Sequence, residues 1–61
     1  MDEKKRREQL LRKALLFQQI HLTVVFEESF LKEMGKRGLL EFQDNILDEI
    51  IFIDKQLGLR I

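Results

Sequence analysis

Apolar residues recur at helical spacing in two stretches of this chain, separated by a closely spaced pair of glycines. In the C-terminal stretch, Leu39, Ile46, Ile50, Ile53 and Leu57 fall on one line of a helix. Leu40, Phe42, Leu47 and Ile51 widen that line to about half the circumference. Glu41, Asp44, Asp48, Glu49 and Lys55 occupy the other side, and Phe52 projects from this polar face. Gly38 suits the N-cap, which puts Glu41 at the third helical position, where a carboxylate meets the positive end of the helix. Gly58 suits the residue that ends the helix in a left-handed turn, with Leu59 placed to pack back on Ile53. The pattern predicts a helix over about 39–57.

The N-terminal stretch is apolar in more directions. Lys4 to Ala14 is rich in good helix formers. Leu10, Ala14, Phe17, His21, Val24 and Leu31 follow a 4,3 spacing and define one seam. Leu11, Leu15, Leu16, Ile20, Leu22, Val25 and Phe26 fill the remaining directions, so nine of the thirteen residues from Ala14 to Phe26 are apolar all round the wheel. A helix apolar on every side is a buried one. Ile20 to Phe26 also has the β-branched content and partial alternation of a strand. It has no turn signal on either side, however, so one helix over about 3–34 is the simpler reading. Thr23-Val24-Val25 is its weakest stretch. Gly35-Lys36-Arg37-Gly38 is the one strong interior turn signal, and it predicts a reversal at 35–38.

These elements predict an all-α helical hairpin, a single domain over 1–61. At 1.5 Å per residue the first helix is roughly 48 Å long and the second roughly 28 Å. Leu57 then lies level with about Leu16, and residues before about Leu10, including the basic arm over 1–9, overhang.

Size makes association part of the picture. A chain of 61 residues buries only about 60% of its unfolded surface and usually needs a staple. With no cysteine and one histidine, neither a disulfide nor a Cys- or His-based metal site supplies it, and no cofactor is expected. Two helices cannot surround each other's apolar bands. The expected staple is therefore a second copy, giving an antiparallel four-helix bundle. The expected oligomer interface comprises Leu10, Ala14, Phe17, His21, Leu22, Val24, Val25, Leu31, Ile46, Ile50, Ile53 and Leu57. The longest apolar runs are four residues, far short of the roughly 20 of a transmembrane helix. No cleavage-site pattern follows the first residues, so a cytoplasmic protein is expected.

Charge adds an asymmetry. The chain is neutral overall, with eleven basic and eleven acidic residues, yet residues 1–13 carry +3 and residues 39–61 carry −3. Lys4, Lys5, Arg6 and Arg7, with Arg12 and Lys13, are candidate nucleic-acid contacts. No aromatic residue interrupts that run, and zero net charge weakens such a reading. Phe52, Phe42 and Phe26 are candidate contacts for a protein partner. His21 on the first seam reads as a structural histidine, because the Glu-x-x-His spacing of di-iron bundles is absent: Gln18 stands three residues before it. Glu28, on the same seam, reads as an exposed or register-setting carboxylate. Ser29 and Thr23 lack a base arrangement that would make either a nucleophile, and no phosphate-binding glycine loop is present, so no enzymatic activity is expected.

The layout resembles that of Rop, a small RNA-binding hairpin that dimerises into a four-helix bundle, although no motif is shared. That resemblance implies the architecture and supplies the second of two functional expectations. The first is a small non-enzymatic regulatory or adaptor protein that self-associates and binds another protein. The second is an RNA- or DNA-binding hairpin using the basic arm.

Overall fold

The computed structural model describes residues 2–58. It is an all-α hairpin of two long helices packed against each other, α1 (Glu3–Val25) and α2 (Glu27–Leu57).

Helix α1 starts where its first donors find a cap. The Asp2 carboxylate accepts the Lys5 backbone N–H at 2.8 Å, and Glu3 adds negative charge to the first turn. The segment over 20–26 is helical through Val25, not a strand. The helix then breaks at Phe26 (φ −111°, ψ 40°), directly after Thr23-Val24-Val25, whose branched side chains are the poorest helix formers in the stretch. Two backbone bonds flank the break, Phe26 N–H to the Leu22 carbonyl and Phe30 N–H to the Phe26 carbonyl. Glu27 and Glu28 occupy the first turn of α2, at its positive end.

Helix α2 is two helical segments joined at Gly35, whose φ of 75° and ψ of 167° lie in a region open essentially to glycine alone. Helical geometry resumes at once, so Gly38 lies inside the helix and is not its N-cap. Glu41 sits beyond the first turn, 3.5 Å from the Arg37 guanidinium. The far end stops as the sequence predicts, with Gly58 left-handed at φ 70° and its N–H shared by the Asp54 and Lys55 carbonyls. The expected packing of Leu59 on Ile53 lies outside the described residues.

The expected helix over 3–34 and turn over 35–38 are thus corrected. The reversal is spread over single-residue breaks at Phe26 and Gly35, with a short helical segment, 27–34, between them. The cross-helix contacts Arg6–Leu57, Arg12–Glu49 and Thr23–Gln43 place the midpoint of the reversal at about residues 31–33. The arms are therefore nearly equal. Leu57 lies beside Arg6, whose Nη1 donates to its carbonyl at 3.4 Å, and not beside Leu16. Little of the basic arm overhangs. Leu31, expected on the seam of His21, is half-buried whereas His21 is exposed, and Glu28 is exposed.

The core is small. Leu16, Ile46, Ile50, Ile53 and Leu57 form it, with Ile20 and Phe42 packed against it. Leu39 is buried towards the turn end. Among the described residues two polar side chains are buried with them, Thr23 and Asp54. The Thr23 hydroxyl donates to the Ile20 carbonyl at 2.7 Å and accepts the Gln43 amide at 2.8 Å. The Lys13 ammonium meets the Asp54 carboxylate at 2.5 Å and lies 5.8 Å from the centre of the Phe17 ring.

Candidate interaction surface

Helix α1 has three parallel seams, each with 4,3 spacing and each turned 100° from the last. The seam facing α2 is Gln9, Lys13, Leu16, Ile20 and Thr23; these residues are all buried or half-buried. The next, Leu10, Ala14, Phe17, His21 and Val24, lies along one flank of the hairpin. The third, Leu11, Leu15, Gln18, Leu22 and Val25, runs along the back of α1, away from α2. All ten residues of these two outer seams are exposed.

The inward seam is the most polar of the three. Seven large apolar side chains of α1 (Leu10, Leu11, Leu15, Phe17, Leu22, Val24 and Val25) stand 41–63% exposed, while Thr23 is 1% exposed. The inversion follows from pairing. Each polar group of the inner seam that lies deep has a partner on α2, which removes the cost of burying it. Helix α2 supplies the apolar share of the core through Ile46, Ile50, Ile53 and Leu57.

The two flanks of the hairpin differ in chemistry. One is bridged by Arg12 and Glu49, paired at 3.2 Å with both side chains at least half exposed, and carries Phe52 beside that pair. The other is bridged by Lys13 and Asp54. Stepping outward from that pair at 100° per residue reaches Val24, Phe17 and Leu10 on α1. On α2 it reaches Leu47, Leu40 and Ile51. All but half-buried Ile51 are exposed. An exposed apolar stripe on each helix therefore borders the same groove.

The residues singled out in the sequence separate accordingly. Of the expected oligomer contacts, Ile46, Ile50, Ile53 and Leu57 are covered by the chain's own α1. Leu31 is half-buried near the turn. Leu10, Ala14, Phe17, His21, Leu22, Val24 and Val25 are exposed. Of the candidate partner contacts, Phe52 and Phe26 are exposed, whereas Phe42 packs against the core. His21 makes no hydrogen bond to Glu28 or Gln18.

The basic cluster is divided. Arg12 and Lys13 are engaged by Glu49 and Asp54, Arg7 pairs with Glu3 at 3.3 Å, and Arg6 reaches the Leu57 carbonyl. Lys4 and Lys5 form no ion pair among the described residues. Sequence reading missed Asp54 and Thr23 as inward groups. For Thr23 the signal available was a polar residue recurring in step with Leu16 and Ile20.

Among the described residues, no three His, Cys, Asp or Glu side chains are grouped to hold a metal ion. No helix there is long and apolar enough to cross a membrane. In comparisons with protein-family models, curated proteins and solved structures, the chain has no significant match.

Proposed function

We propose that this chain is a small non-enzymatic regulatory or adaptor protein whose hairpin self-associates and binds another protein through the apolar surface of α1. One observation carries the reading: α1 turns its most polar seam inward and leaves seven large apolar side chains uncovered. Contiguous apolar surface of this kind marks an interaction site or an aggregation liability. The Leu11, Leu15, Leu22 and Val25 seam has the spacing at which a helix of another protein packs knobs into holes.

The nucleic-acid alternative has weaker support, because four of its six basic side chains already have partners within the hairpin. Photo-crosslinking groups placed at Leu15, at Leu22 and, as a control, at Asp48 separate the two readings. The proposal expects protein adducts from Leu15 and Leu22 that disappear with Leu11→Glu, and none from Asp48. Adducts that nuclease removes, or equal labelling from all three positions, would refute it.

A further inference from the structure

We infer that a second copy of this chain covers the flank on which Leu10, Phe17 and Val24 stand beside Leu40, Leu47 and Ile51, closing an antiparallel four-helix bundle. This rests on the association reading above and adds the face and the occupant.

The face is built from both helices at matching levels. The stagger set by Arg12–Glu49 and Thr23–Gln43 puts Phe17 level with Leu47 and Val24 level with Leu40. A single foreign helix needs one groove. Two apolar rows side by side, one from each antiparallel helix, are self-complementary under a two-fold axis, as an isologous dimer requires.

Shape agrees with this occupant. The principal extents of the hairpin are 42 × 18 × 13 Å, a slab two helices wide and about one helix thick. A second slab laid on its broad face at the usual 8–10 Å helix spacing gives the square cross-section of a bundle. Only one broad face suits this, because the other carries the exposed Arg12–Glu49 pair. One such face per molecule closes a dimer and does not propagate a filament. Net charge is zero, so two copies approach without overall repulsion.

Area gives the scale. A compact monomer of 7.4 kDa exposes about 4,200 Å². This chain exposes 5137 Å². The surplus, about 900 Å², is close to the roughly 800 Å² that each partner contributes to a standard interface.

The test is sedimentation equilibrium of the full chain at micromolar concentration, with Phe17→Glu, Leu47→Glu and, on the back seam, Leu15→Glu. Far-UV circular dichroism checks each variant for helix content. The wild type is expected at twice the chain mass. Phe17→Glu and Leu47→Glu are each expected to weaken the dimer at least a hundredfold, because a carboxylate would be desolvated in the interface. Leu15→Glu is expected to leave it within about threefold.

Isotope-filtered NOEs between labelled and unlabelled wild-type copies supply evidence free of substitution. Contacts from the Leu47 methyls of one copy to the Phe17 ring of the other are expected. A dimer insensitive to both substitutions, or intermolecular NOEs confined to Leu11, Leu15 and Leu22, overturns the choice of face. A monomer, or a mass above the dimer, overturns the second copy as occupant. In each case the crosslinking result at Leu15 and Leu22 decides separately whether the chain binds another protein.

Discussion

Ile50 and Leu22 look equivalent in the sequence, each an aliphatic residue on an apolar helix face, and the structure sets them apart. Ile50 is 3% exposed at the centre of the core, whereas Leu22 is 42% exposed on the back of α1. Truncating a fully buried aliphatic side chain removes its transfer free energy and leaves a cavity, at a cost of about 2–5 kcal/mol. A domain of this length has a total stability of roughly 3–9 kcal/mol, from the usual value per residue. Ile50→Ala should therefore remove much of what holds the hairpin. Leu22→Ala deletes a side chain that α2 does not cover and replaces it with a better helix former, so it should cost about 0.5 kcal/mol or less. Urea unfolding followed by far-UV circular dichroism measures both, at several protein concentrations so that any contribution from association appears as a concentration dependence. If Leu22→Ala is as costly as Ile50→Ala at every concentration, the back seam and not the Leu16–Ile20–Thr23 seam faces α2, and the assignment of the interaction surface fails with it.

Other perturbations follow from the same geometry. Thr23→Val keeps the side-chain shape but takes the acceptor away from the half-buried Gln43 amide, an expected loss of about 1–3 kcal/mol in the unfolding free energy measured with urea. Adding Gln43→Leu should recover most of it, as a double-mutant cycle would show. Gly35→Ala meets no neighbouring atom within 4 Å, so its cost is the backbone strain of holding alanine at φ 75°, about 1–3 kcal/mol in thermal unfolding. Arg12→Ala breaks an exposed pair and should shift stability by less than about 1 kcal/mol, with the difference shrinking further in high salt.

The structure shows where the two helices leave apolar surface uncovered. A two-helix chain has one internal interface, and here that interface is narrow, with five residues forming its buried apolar cluster. The two buried polar pairings suit a structure that must hold a register while presenting apolar surface elsewhere. Thr23–Gln43 and Lys13–Asp54 tie α1 to α2 at separated levels. A slip of one residue would strand each of these groups without its partner.

Local signals accounted for the outer ends of the two helices, near Glu3 and at Gly58, and for much of α2. The Gly58 terminus and the inward line of Ile46, Ile50, Ile53 and Leu57 were legible because capping chemistry and a single amphipathic stripe act within a few turns of helix. The glycine pair drew attention to the right neighbourhood but not to the right geometry. Gly35 alone supplies the positive φ, and Gly38 stays helical. The second break, at Phe26, carries no turn residue, and its only trace in the sequence is the weak β-branched run before it.

By itself the sequence determined a helical hairpin with more apolar surface than two helices can hide. It did not determine which of the three α1 seams is hidden, because all three have the same period and two are more apolar than the one chosen. That choice belonged to the tertiary structure. It depends on hydrogen bonds and an ion pair between residues 20 and 41 positions apart, Thr23 with Gln43 and Lys13 with Asp54. Periodicity within one helix carries no information about partners on another.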